Sequence, residues 1–173
     1  MKNKVIAIVI FIATIFTYGC EKLHDLNQPK DPDTEFSSTY PLSGEWWIQY
    51  YSFDGTAYTE IGFGYAPLFT SNTAADDGKE MWISDDGSFW TYTVKCPVNM
   101  TSLTFGGDQL ISTVPDYHIW LNISEGKVIK NGGKSPSGVV VDSIFCKIEF
   151  EDDPGNFYYA AGVRKTGFLE DEH

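Results

Sequence analysis

The heptapeptide IFCKIEF, residues 144–150, is the clearest guide to the fold of this 173-residue chain. Apolar residues occupy its odd-numbered places, and Lys147 and Glu149 fall between them. Because successive side chains of an extended strand point to opposite faces, this alternation indicates a strand with one buried face. Residues 89–94 and 117–124 alternate in the same way, which favours antiparallel strands that bury one face of their sheet.

Turn signals rich in Asp and Gly separate further runs of this kind on both sides of the heptapeptide. The predicted strands are Gly44–Phe53, Tyr58–Tyr65, Met81–Ile83, Phe89–Lys95, Met100–Phe105, Tyr117–Ser124, Val139–Phe150 and Phe157–Lys165. At most a short helix is expected, near Asn72–Lys79. Eight short strands predict an all-β antiparallel barrel, with a β-sandwich as the alternative. Such a barrel has room for its own side chains or for one small ligand.

The first twenty residues are typical of an exported protein. A basic start is followed by an apolar run from Val5 to Phe16 and by Gly19-Cys20. The run has twelve residues, whereas a membrane-spanning helix needs roughly eighteen or more. This segment resembles a bacterial lipoprotein signal, which implies a signal peptide over 1–19 and lipid attachment at Cys20. The alternative is an ordinary signal peptide with a chance cysteine.

Residues 20–39 are rich in Pro, Asp and Ser and lack periodicity, so we predict a flexible tether followed by a barrel domain over 40–173. In lipoproteins of the resembled kind an aspartate after the cysteine favours the inner membrane. Glu21 stands there instead, and we therefore expect an outer-membrane lipoprotein that faces the periplasm or the cell exterior.

The charge of the chain argues against two kinds of partner. Its formal net charge is −12, and removal of Lys2 and Lys4 with the signal peptide takes it to −14. Nucleic acid binding needs a basic surface, so we expect no nucleic acid partner. Electrostatic adhesion to anionic lipid is disfavoured for the same reason. Membrane attachment is therefore expected to come from acyl chains on Cys20.

Metal and nucleotide chemistry lack support in the sequence. Cys96 and Cys146 lie in strand-like runs, where a disulfide and two buried free thiols are both open. Neither the cysteines nor the histidines have zinc-ligand spacing. The stretch GGKS, residues 132–135, lacks the earlier glycine of a phosphate-binding loop, since Val128 stands there. We expect neither a metal nor a cofactor.

A hydrolase would need a nucleophile, a base and an orienting group. His118 is the candidate base, with Ser135 or Ser143 as nucleophile and Asp116 or Asp142 as the carboxylate. Asp142 and Ser143 are adjacent on a predicted strand and should point to opposite faces, which weakens a joint role. Whether the protein is an enzyme therefore stays open, with a non-catalytic function preferred.

The aromatic residues are a less ordinary feature of the sequence than the motifs discussed above. The chain holds five tryptophans, twelve phenylalanines and ten tyrosines. They can pack a core, or they can line a pocket for an apolar ligand or a sugar. The predicted ligand-binding residues are Trp82, Trp90, Tyr92 and Trp120.

Several stretches together resemble a known family. They are YPLSGEWW (40–47), TSNTAADDGKEMW (70–82), DSI (142–144) and GVRKTGF (162–168). They are similar to bacterial envelope lipoproteins described as lipid-binding putative hydrolases. The resemblance implies a single calycin-like barrel over about residues 43–170, and it supplies no catalytic residues.

The element Gly44-Glu45-Trp46 is also similar to the Gly-x-Trp of lipocalins. This likeness implies that Trp46 closes one end of the barrel and packs against Arg164 from the last strand, as a structural cation–π contact.

These observations favour an outer-membrane-anchored lipoprotein whose calycin-like barrel binds a small apolar or amphipathic ligand, a lipid being one candidate. Two alternatives remain: a hydrolase that uses His118, and a surface interaction module with a filled barrel that binds a protein or glycan.

Overall fold

The computed structural model describes residues 36–173, which form a closed antiparallel barrel of eight strands in sequential order. The strands are β1 (Gly44–Phe53), β2 (Tyr58–Asn72), β3 (Glu80–Ser84), β4 (Thr93–Asn99), β5 (Thr104–Ile111), β6 (Trp120–Lys134), β7 (Val140–Phe150) and β8 (Tyr158–Arg164). Short 3-10 helices lie at Tyr40–Leu42 and Leu169–Asp171. In this part of the chain, no helix has the length and apolar character needed to span a membrane.

The predicted signal peptide, Cys20 and residues 20–35 of the predicted tether lie outside the described residues. Closer to the barrel, the Ser38 amide and hydroxyl donate hydrogen bonds to Asp76 Oδ1 at 2.8 and 2.9 Å. Thr39 is fully buried. The residues just before the first 3-10 helix therefore pack against the barrel.

Pairing of the first strand with the last closes the sheet. Trp46 lies opposite Arg164 and Tyr51 lies opposite Tyr159 along the β1–β8 ladder. The predicted all-β barrel is confirmed, and the alternative sandwich is wrong, because a sandwich would leave these strands on separate edges.

Local hydrogen bonding and bulges explain the strand boundaries that the sequence placed wrongly. Residues 100–103 form a turn because Asn99 Oδ1 accepts the Thr101 and Ser102 amides, at 3.0 and 3.1 Å. Strand β6 continues past Ser124 to Lys134 because shifts in its pairing with β7 absorb the residues expected to form turns. The predicted short helix near Asn72–Lys79 is a series of turns and bends.

The barrel interior is filled by the alternating apolar residues. On β7, Ile144, Cys146, Ile148 and Phe150 are all buried, as the heptapeptide predicted. Inward residues of the other strands join them in one continuous core.

Trp46 closes one end of the barrel. Its ring is fully buried, and its Nε1–H donates to Thr70 Oγ1 at 2.8 Å. Thr70 in turn donates to the Leu42 carbonyl at 2.7 Å, which ties the first 3-10 helix to the barrel. The Arg164 guanidinium carbon lies 4.3 Å from the centre of the Trp46 ring, so the predicted cation–π contact is present. Gly44 makes room for it, since a Cβ there would lie 2.1 Å from Arg164 Nη1.

Candidate functional site

The candidate site lies where the third strand, β3, is too short to pair with the whole of β2. Strand β2 pairs with β3 only through its last residues, Phe69–Asn72, so the earlier part of β2 has no strand on that side. Residues 85–92, here called the lid loop, occupy the space instead. The Ser88 hydroxyl joins the loop to β2 by donating to the Pro67 carbonyl at 3.1 Å.

Asp85 organises the lid loop. Its carboxylate is fully buried and accepts hydrogen bonds from five backbone amides of the loop. The donors are Gly87 and Tyr92 to Oδ1, at 3.1 and 2.8 Å, and Phe89, Trp90 and Thr91 to Oδ2, at 3.2, 2.7 and 2.9 Å. These amides wrap around one carboxylate, so residues 89–92 form a loop and the predicted strand over Phe89–Lys95 begins only at Thr93.

Two aromatic side chains of the lid loop pack against aromatic rings of the barrel. Phe89 stacks on Tyr50, with ring centroids 3.9 Å apart and an interplanar angle of 14°. Trp90 stacks on Phe150 at 4.5 Å, and its Nε1–H donates to Asp152 at 2.9 Å. The loop is thus held both at its backbone and at its side chains.

A cavity of about 270 Å³ opens between the lid loop and β2, and we call it the lateral cavity. It is lined by Tyr50, Ile61, Gly62, Gly64, Tyr65, Ala66, Pro67, Ser88 and Phe89. A bulge in β2 creates this space, because Ile48 pairs with Ala66 whereas Tyr50 pairs with Ile61. Gly62 and Gly64 have φ values of +93° and +90°, which side chains rarely tolerate. Most of the lining is apolar, as expected of a site for a small organic ligand.

The structure brings together two of the four residues predicted to bind ligand. Trp90 and Tyr92 both pack on Phe150, with the Tyr92 ring centroid 5.7 Å away. Trp82 lies apart from them, with the Lys95 ammonium 5.3 Å from its ring centre. Trp120 is half-buried at the start of β6, where its amide donates to Glu151 Oε2 at 2.8 Å.

Sequence reasoning missed Tyr50, Phe89 and Asp85 as parts of the site. The stretch Asp85-Asp86-Gly87 predicted only a turn. When apolar residues follow a turn, the sequence alone does not show whether they continue a strand or fold back over the core. No local pattern could have assigned Phe89 to a cavity wall.

A second, wider groove of about 580 Å³ lies on the outside of the barrel, and we call it the outer groove. Its lining includes Gln49, Tyr51, Lys134, Ser143, Ala161 and His173. Asp171 fixes the C-terminal segment nearby by accepting the Ser137 amide and the Thr166 hydroxyl, at 2.6 and 2.7 Å. Burial raises the pKa of this carboxyl, but its hydrogen bonds outweigh that effect and lower the pKa to about 2. Asp171 is therefore ionised at neutral pH.

Aromatic rings continue along the outside of the barrel, where Phe53, Tyr58 and Phe157 are exposed, and we call this surface the outer aromatic wall. It consists of Phe53, Tyr58, Phe145, Phe157 and Tyr159. The Lys147 ammonium lies 3.9 Å from the Phe157 ring centre, and Lys127 lies 5.2 Å from that of Phe145.

The groups proposed for a hydrolase are scattered. His118 is exposed, and its Nδ1 lies 3.2 Å from the Ser112 carbonyl oxygen. Ser135 is hydrogen-bonded to Ser137 at 3.1 Å, whereas Asp142 is paired with Lys130 at 2.9 Å. Within residues 36–173, no hydrogen bond joins His118 to a serine hydroxyl or to a carboxylate.

Asp116, the second carboxylate considered for that role, makes no hydrogen bond to His118. Asp116 is exposed in the loop before β6, in a left-handed conformation with φ of +62°. Ser143 lines the outer groove. The described groups do not form a nucleophile–base pair.

The two cysteines in the barrel are free thiols. Cys96 and Cys146 are both buried, and burial raises the pKa of each thiol to about 12. Of the two alternatives that the sequence left open, the structure contains the unpaired one. Across residues 36–173, no group of three or more His, Cys, Asp or Glu side chains is arranged to hold a metal ion.

The closed eight-stranded antiparallel barrel, with a tryptophan–arginine pair at one end and a cavity in its wall, defines a calycin-like barrel. Residues 31–169 match the family described as lipid-binding putative hydrolase, and the chain belongs to this family. No curated protein matches the chain.

Proposed function

We propose that the barrel takes a lipid or another small amphipathic molecule into the lateral cavity and does not catalyse a reaction on it. The observation that carries this proposal is a largely apolar cavity of about 270 Å³ that reaches inward to the Tyr50 ring. Membership of a family described as lipid-binding supports the ligand class. Among the described residues, His118 makes no hydrogen bond to a serine hydroxyl or a carboxylate, which favours binding over hydrolysis.

The cavity volume limits the ligand. Pockets for drug-sized molecules usually measure roughly 300–1,000 Å³. The lateral cavity falls just below this range, so it has room for one acyl chain or one ring system. A lipid with two chains would leave one of them outside the barrel.

A pair of matched substitutions tests the location of the site. Ala66→Phe places a ring in the lateral cavity, whereas Ala161→Phe places the same ring in the outer groove. We expect Ala66→Phe to weaken the binding of decanol by about tenfold or more, and Ala161→Phe to have little effect. Displacement of a fluorescent hydrophobic dye from the purified protein gives the affinities.

Thermal melting of both variants controls for misfolding. Loss of binding in Ala161→Phe with normal binding in Ala66→Phe would move the site to the outer groove. If no lipid displaces the dye from the unmodified protein, the proposed function is wrong.

A second candidate function is an interaction module for a protein or glycan. The observation that favours it is the outer aromatic wall, where Phe53, Tyr58 and Phe157 are all exposed. Aromatic faces next to lysines are well suited to contact a partner surface. A filled barrel interior is compatible with this function, because the contact surface lies outside the core.

We also propose that the mature protein is held at the bacterial outer membrane by lipid on Cys20. The signal-like residues 1–19 and the cysteine that follows them support this anchor. Because the chain is strongly acidic, acyl chains rather than charge would provide the attachment.

Metabolic labelling with a palmitate analogue checks the anchor. We expect Cys20→Ser to abolish both the label and the recovery of the protein with outer membranes. Cys96→Ser makes the same replacement at a buried thiol of the barrel and should keep the label. A Cys20→Ser protein that remains labelled would rule out the anchor.

A further inference from the structure

We propose that the lateral cavity selects uncharged ligands that carry an oxygen acceptor, such as alcohols and esters, over carboxylates. The proposal rests on the function proposed above for this cavity. It assigns as the polar end of the binding site the hydroxyl of Tyr50, on which the Phe89 ring stacks, and the hydroxyl of the neighbouring Tyr92.

These two hydroxyls lie close to each other, and neither makes a hydrogen bond of normal geometry with a described residue. Tyr50 and Tyr92 are 2% and 1% exposed, and their hydroxyls are the only buried side-chain polar atoms without a partner in residues 36–173. Buried polar groups in folded proteins are nearly always hydrogen-bonded, so each exception calls for an explanation. Burial is the main reason that the pKa of both phenols is raised well above the ordinary value, which keeps them protonated as donors. A ligand oxygen could accept hydrogen bonds from them.

The charges around the hydroxyls determine whether a neutral or a charged ligand oxygen would bind there. Asp85 is fully buried next to them, and its Oδ1 accepts the Tyr92 amide at 2.8 Å. After burial itself, its negative charge is the next cause that raises the pKa of Tyr50. No lysine, arginine or histidine among the described residues is buried. A carboxylate entering here would lose its hydration and meet a negative charge without a cation, which disfavours the charged form.

The route inward passes the Phe89 side chain. Its ring lines the lateral cavity and stacks on Tyr50 at 3.9 Å. The backbone of the lid loop is fixed by Asp85, but the half-buried Phe89 ring is held only by ring contacts. Rotation of this ring would join the cavity to the tyrosine hydroxyls without unfolding the loop.

The test compares decanol, methyl decanoate and decanoate, which share one chain and differ in the charge of the polar end. Displacement of a hydrophobic dye from the purified full chain at neutral pH gives the affinities. We expect the alcohol and the ester to bind at least about tenfold more tightly than the carboxylate. We expect Tyr92→Phe to weaken decanol binding by about three- to tenfold, since one donor is lost.

Tyr117→Phe is the matched control, because the Tyr117 hydroxyl already donates to Asp152 and lies outside the cavity lining. Tyr92→Phe removes an unpartnered hydroxyl, so the variant should remain folded, and its melting temperature verifies this. Decanoate binding as tightly as decanol, or unchanged decanol affinity in a folded Tyr92→Phe protein, would overturn the selectivity alone. Failure of all three compounds to displace the dye would instead overturn the proposed function on which it rests.

Discussion

Replacement of Asp85 by alanine is expected to lower the free energy of unfolding by about 3–5 kcal/mol. The carboxylate is fully buried and accepts five backbone amides of the lid loop. Removing one acceptor therefore leaves several donors unpaired, and each buried unpaired donor costs roughly 1–3 kcal/mol before water reaches it. Urea unfolding followed by circular dichroism measures the loss.

A matched pair of conservative substitutions separates this role from a general effect of charge. Asp85→Asn keeps the shape of the side chain but turns one acceptor into a donor, so we expect most of the loss to persist. Asp86→Asn changes the exposed neighbour and should alter stability by less than about 0.5 kcal/mol. Amide hydrogen exchange should show lost protection at residues 87–92 in Asp85→Asn. An Asp85→Ala protein as stable as the unmodified one would contradict the assigned role.

Replacement of Trp46 by alanine is expected to destabilise the barrel by about 3–5 kcal/mol. The ring is fully buried, so its removal leaves a large cavity at the closed end of the barrel. The Thr70 hydroxyl loses a donor at 2.8 Å, and the Arg164 guanidinium loses the ring that it covers. Chemical denaturation of the purified protein gives the difference in unfolding free energy.

The neighbouring tryptophan provides the control. Trp47 points to the outside of the barrel, where it lies under Lys165 at 4.2 Å and edge-on to His173 at 5.5 Å. It is only half-buried, so Trp47→Ala should cost about 1 kcal/mol. Equal losses in the two variants would show that Trp46 does not have the closing role that its burial indicates.

The lid loop connects these stability arguments to function. Asp85 holds the loop backbone, and the loop in turn places Phe89 in the wall of the lateral cavity, stacked on the Tyr50 ring. We therefore expect variants of Asp85 to lose ligand binding together with stability. Variants at Trp46 act at the closed end and should affect binding only through folding.

The sequence by itself determined the buried face of β7, the strand number and the closed topology that they favour, whereas the alternation in residues 89–92 and 117–119 lies outside the strands. Alternation in residues 144–150 predicted which side chains of β7 are buried, because the period of a strand is a local property of the chain. The pairing of Trp46 with Arg164 followed from resemblance to lipocalins rather than from any pattern within the chain.

Only the tertiary structure decided where the candidate site lies. The lateral cavity exists because a bulge shifts the pairing of β1 with β2 and because the lid loop replaces a continuation of β3. Whether the carboxylate of Asp85 faces water or five amides depends on how this loop packs against β2 and Phe150. The bulge and the packing of the loop depend on contacts between residues distant in sequence, and alternation within one strand carries no information about them.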